Sequence, residues 1–163
     1  MVDVKVPGLL PIPDSTFYTL TEPDGKGGIK VIGDNGNHSG NHYLTPEAAS
    51  VLWRIAATYY FKYWMDKRVV PLLHLNDASL VWGGRFDANG NWADPHAGHR
   101  KGAVIDIRAN ALPTAIPTML LKDFKKLADK TLMADGVTSA QAQLHYVGLP
   151  TQHYHVLLLG VDQ

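Results

Sequence analysis

An apolar stripe at helical spacing is the clearest pattern in the chain. Leu52, Ile55, Ala56, Tyr59, Tyr60, Tyr63 and Trp64 recur at i, i+3 and i+4, so they share one broad face of a helix. Thr45 can cap that helix, Pro46 suits its first position and Glu47 its first turn, and the pattern runs to about Met65. A second helix is expected from Pro117 to about Ala134. It turns Leu120, Leu121, Phe124, Leu127 and Leu132 inward and Lys122, Lys125, Lys126 and Lys130 outward, and Gly136 closes it. Pro71–Leu75 reads as a buried strand, and Ala103–Arg108 as a strand by its β-branched content. Two last strands, Gln143–Val147 and His153–Gly160, are joined by a short turn at Gly148–Thr151.

Between these elements lie two turn-rich stretches. Residues 1–43 are rich in Gly, Pro, Asp and Asn, with short extended pieces such as Ile29–Ile32. Asn76–Lys101 is long, polar and Gly-rich, and a loop of that length inside a domain is usually functional. Helices and strands do not alternate strictly, which favours an α+β fold with a mainly antiparallel sheet over a doubly wound one. The 163 residues fit a single domain, with 1–43 as its loop-rich N-terminal part.

Composition narrows the chemistry. Fifteen basic and fifteen acidic residues cancel, so neither nucleic acid nor an anionic membrane surface is expected as the main partner. No apolar run is long enough to insert in a membrane, and no signal peptide is visible at MVDVKVPGLL. Oligomeric state is not legible. The absence of cysteine excludes disulfides, thiolate zinc sites and thiol catalysis, while eight histidines turn attention to imidazole chemistry.

Three polar residues sit where apolar ones belong. Asp106 interrupts Ala-Val-Ile-Asp-Ile, where an ionised carboxylate costs several kcal/mol unless a cation lies beside it. Taken alone, it is better read as facing solvent or pairing with Arg108. His153 and His155, two apart on a strand, leave the same face next to Val156-Leu-Leu-Leu. Singly, each reads as a satisfied core or edge residue. Together the three offer the two imidazoles and one carboxylate that zinc takes in hydrolases, or one strand histidine serves as ligand and its neighbour is left for proton transfer. A single ligand set thus accounts for residues that otherwise need separate explanations. The helical His-Glu-x-x-His arrangement is absent.

His99-x6-Asp106 followed by His153-x-His155 resembles the LAS metallopeptidases, the group of lysostaphin-type enzymes, D-Ala-D-Ala peptidases and hedgehog domains. The resemblance implies a hedgehog/D-Ala-D-Ala peptidase-like fold and one zinc ion per chain on His99, Asp106 and His155. It narrows toward the penicillin-insensitive murein endopeptidases through His96-Ala-Gly-His99 and through Asn76-Asp77-Ala-Ser79-Leu-Val-Trp-Gly83-Gly84. It spans about Leu73–Arg108 and His153–Leu158. Its implied activity is hydrolysis of amides in peptidoglycan peptide stems or cross-links, with His153 as the catalytic group and an extracytoplasmic location. His96, Asp77, Ser79, Arg85 and Arg100 become candidates for substrate contact or support of the ligands, and Trp82 and Trp92 for a cleft wall. Two positions depart from the pattern. Gln152 stands where D-Ala-D-Ala peptidases carry a Glu base, and Pro150 where murein endopeptidases carry another His. A non-catalytic zinc-containing cell-wall-binding module and a zinc amidase for small dipeptides are the alternatives. His38, His42, His74 and His145 are given no role, and Tyr59, Tyr60, Tyr63 and Trp64 read as core.

Overall fold

The computed structural model describes residues 8–23, 29–32, 42–64, 72–79, 99, 101–109, 121–134, 136, 142–149 and 152–159. Among the described residues the fold is α+β, with two α-helices and two sheets that are mostly antiparallel. Leu10–Pro11 (β1) and Tyr43–Leu44 (β4) form a small antiparallel pair. The main sheet holds six strands: Tyr18–Pro23 (β2), Ile29–Ile32 (β3), Leu73–Leu75 (β5), Val104–Arg108 (β6), Ala142–His145 (β7) and His153–Leu157 (β8). Their order is β3-β2-β5-β6-β8-β7, and among the described strands only the β2–β5 pairing is parallel.

Helix α1, Pro46–Tyr59, begins as its sequence signals: the Thr45 side chain accepts from the Ala48 amide at 3.2 Å, and Pro46 opens the first turn. The expected continuation to Met65 changes character at Tyr60. A π-helical turn, Tyr60–Trp64, closes the helix, and Tyr60 is only partly buried. Helix α2, Leu121–Ala134, buries Phe124, Leu127 and Leu132 as expected, and Gly136 follows it at φ +86. The expected first turn, from Pro117 to Leu120, lies outside the described residues. Lys125, expected to point outward, is partly exposed but reaches back: it meets Asp129 at 2.6 Å and the Ala142 carbonyl at 2.8 Å. Asp129 in turn accepts from the Ala142 amide at 3.1 Å. This clamp ties the start of β7 to the helix.

Alternation sorts the strands' side chains into two faces. Leu73, Leu75, Ile105, Ile107, Tyr154 and Val156 join Leu52, Ile55, Tyr59, Phe124 and Leu132 in one buried cluster. Phe124 stands at its centre, 4.9 Å from the Tyr154 ring and 6.0 Å from Tyr59. The intervening residues, among them Asp106, Arg108, His153 and His155, face the other way. The last two strands end earlier than their composition suggests. Tyr146 takes a left-handed φ of 52, which no strand can continue, and β8 stops at Leu157. No described helix is long and apolar enough to cross a membrane.

Candidate metal centre

Three adjacent strands bring the polar residues together. Pairing of β6 with β8 sets Asp106 opposite His155 and Arg108 opposite His153. Pairing of β7 with β8 then sets His145 opposite His153. His99 comes from the segment leading into β6. Gly102 lets that segment turn at φ +67, and its carbonyl accepts from the Thr45 amide at 2.9 Å. A Cβ at Gly102 would collide with the Leu9 side chain and lie 2.9 Å from the Thr45 nitrogen, so glycine is required between His99 and Asp106.

Asp106 is the hub. Its carboxylate, 1% exposed, receives His155 Nδ1 on Oδ1 at 2.9 Å, while His99 Nε2 and His153 Nε2 approach Oδ2 at 3.4 and 3.5 Å. Burial alone would favour its neutral form, but hydrogen bonds from His155 and His99 and the nearby imidazoles hold its pKa far below the usual carboxylate range. Burial likewise works against charge on His99. Asp106, with Asp77 behind it, outweighs that penalty and raises the His99 pKa above its ordinary value. The Asp106 main chain is fixed too: it accepts from the Asn76 amide and donates to the Asp77 carbonyl, both at 2.8 Å. Two residues after β5 therefore oppose one residue of β6, as in a β-bulge that re-aims side chains near a site.

Donor nitrogens or oxygens of His99, Asp106 and His155 all lie within 4.8 Å of one another, a group that could hold a metal ion. His99 and Asp106 are buried and His155 is partly open, so the centre has a wet and a dry side. His153, also partly open, adjoins the group through Asp106 Oδ2.

The other sequence candidates divide. Asp77 supports His99 electrostatically and accepts from Asn76 Nδ2 at 2.5 Å. Ser79 is buried, and its main chain exchanges two hydrogen bonds with Tyr43, each 3.0 Å. His96, Arg85, Arg100, Trp82, Trp92 and Pro150 lie outside the described residues, as does most of the expected loop wall. Gln152 is structural: its Oε1 accepts from the Gly148 amide at 2.7 Å and its Nε2 donates to the Ala109 carbonyl. Both ends of that amide are engaged in holding the β7–β8 turn against the end of β6.

Two histidines given no role in the sequence, and Arg108, expected only as a partner for Asp106, belong to the same face. The His145 ring stacks on His155, centroids 5.1 Å apart and 8° from parallel, and lies 5.5 Å from His153. Burial, then the charges of His155 and His153, lower its pKa against the pull of Asp106. Arg108 shares the site face, its charge depressed by burial and supported by Asp77. His74, alternating with inward Leu73 and Leu75, is buried near it. Burial first, and the Arg108 charge second, push the His74 pKa down to about 4. Register was the missing signal: a β7–β8 hairpin centred on residue 149 sets 145 opposite 153. Neither the models of known protein families nor the curated proteins contain a match to this chain.

Proposed function

We propose that this chain is a zinc-dependent peptidase that hydrolyses amides in peptidoglycan peptides, with His99, Asp106 and His155 as ligands. The observation that carries the reading is the convergence of those three donors, from two strands and a loop, around one buried carboxylate. They fit zinc by type, since two imidazoles and a carboxylate leave a fourth position open in catalytic sites. One spacing fits as well. Zinc–ligand bonds of about 2.0–2.2 Å set tetrahedral edges of roughly 3.3–3.6 Å, and the His99 Nε2–Asp106 Oδ2 separation is 3.4 Å. His155 Nδ1 and Asp106 Oδ1, at 2.9 Å, are in hydrogen-bond contact and must move apart when an ion enters. When bound, the ion supplies Lewis-acid chemistry, polarising the scissile carbonyl and acidifying water toward neutrality.

The protein's own residues supply the rest. His153 Nε2, partly exposed beside Asp106, is placed to take a proton from the attacking water and pass it to the departing amine nitrogen. Water adds to the carbonyl, the C–N bond breaks, and a carboxylic acid and an amine result. Asp106 Oδ2, 3.5 Å from His153 Nε2, holds that imidazole beside the ligand set. Gln152 takes no part in proton transfer, because its amide is spent on the turn. The resemblance noted in the sequence supplies the substrate class and the hedgehog/D-Ala-D-Ala peptidase-like fold.

The test pairs elemental analysis with mass spectrometry of peptidoglycan fragments after incubation. One zinc per chain and newly released amino groups are expected. Zinc without any cleavage product would transfer the chain to the non-catalytic cell-wall-binding reading. A protein purified without stripping that holds no metal would end the proposal.

A further inference from the structure

We propose that His145, His153 and His155 form a second metal position, which takes a divalent transition ion in excess and withdraws His153 from proton transfer. The inference rests on the first centre as read above, because it shares His155 with it. Donor nitrogens of the three imidazoles lie within 4.8 Å of one another. The backbone builds this set: His153 and His155 leave one face of β8, and the β7–β8 register brings His145 across from His153. Ring positions agree, with His145 5.1 Å from His155 and 5.5 Å from His153.

The two donor sets differ in ways that fix their roles. His99 and Asp106 are buried, whereas His145, His153 and His155 are all partly exposed, so the second set opens to solvent. It holds no carboxylate, which selects imidazole-binding ions such as zinc, nickel or copper over magnesium or calcium. His155 Nδ1 is directed at Asp106 Oδ1, 2.9 Å away, and so faces the first centre, which leaves Nε2 for the second ion; with an ion on each nitrogen the ring releases its N–H proton to solvent and bridges as an imidazolate. A carboxylate-free set that must draw a proton from its shared ligand binds its ion more weakly than the first. Tyr146, in its left-handed turn, sets its ring 5.5 Å from His153 and forms the rim.

Equilibrium dialysis of the untagged full chain against increasing zinc, with elemental counting, tests the proposal. Wild type is expected to take up a first equivalent and then a second at higher free zinc. His145→Ala is expected to keep the first equivalent and lose the second, and His145→Gln to do the same while preserving the size of the side chain. Activity of wild type is expected to fall as the second equivalent binds, and that inhibition to disappear in both variants. A second equivalent retained in either variant overturns the assignment. Wild type that stops at one equivalent overturns the second position and leaves the first standing, whereas no bound zinc overturns both.

Discussion

The two faces of the strands β5, β6, β8 and β7 come from alternate residues of the same sequence, yet they answer to different physics. One face presents Leu73, Leu75, Ile105, Ile107, Tyr154 and Val156 to the helices, where apolar burial drives folding. The other presents His74, Asp106, Arg108, His153, His155 and His145. There burial penalises charge, and the cost is offset only by mutual pairing. A single-residue slip in register would exchange the faces and destroy both. The pairing that stabilises the fold therefore also assembles the site, and each face can be broken separately.

The largest expected effect falls on the polar face. His153→Ala should lower turnover of peptidoglycan by about 10²–10⁴-fold, the range for loss of a general acid–base group, with the first metal equivalent and the melting temperature kept near wild type. Turnover like that of wild type would remove His153 from the mechanism. On the apolar face, Ile107→Ala should cost about 2–4 kcal/mol of stability. Urea melts check it, and metal binding should survive below the shifted transition. Loss of metal from a still-folded Ile107→Ala would show that the two faces are not separable.

Gln152 tests the joint between the strands. Its amide donates to Ala109 and accepts from Gly148, so Gln152→Glu replaces a buried donor with a charge that has no comparable partner. A loss of about 1–3 kcal/mol is expected, without the gain in turnover that a new base would give. Faster turnover in this variant would show that the side chain reaches the substrate.

Much of this was legible in local sequence. Thr45-Pro46-Glu47 marked the start of α1, and β-branched residues marked β6. Asp106 and the His153/His155 pair stood out because polar residues in apolar runs need a reason. Long-range information was harder to read. The Tyr18–Pro23 strand sits among turn residues, and its parallel pairing with β5 joins segments far apart in sequence. His145 and Arg108 became meaningful only once the strand register was known. Gln152 could be recognised from sequence as a poor base, but its two hydrogen bonds require the turn and the end of β6 to be placed in space.

The smallest expected effect is a pH dependence set by His74, a polar-face residue outside the proposed ligand set. Burial, then the Arg108 charge, hold its pKa at about 4, below the ordinary histidine value of 6.5. Between those values the unfolded chain binds more protons than the folded one, so stability rises with pH across that window. Acidifying metal-stripped protein from about pH 6.5 toward 4 should therefore cost about 1–3 kcal/mol through His74. His145, also lowered, contributes in the same direction. Asp106 does not interfere, since its depressed pKa releases stability only below the ordinary carboxylate range. Raised His99 acts on the other side, where its contribution is lost as pH climbs above 6.5 through its folded value. His74→Leu removes the titrating group while filling the site with apolar volume. Urea melts at a series of pH values should then show a flatter acid limb in His74→Leu than in wild type. Equal slopes would mean that His74 is already protonated in the fold, and that its imidazolium has a partner able to offset both burial and Arg108.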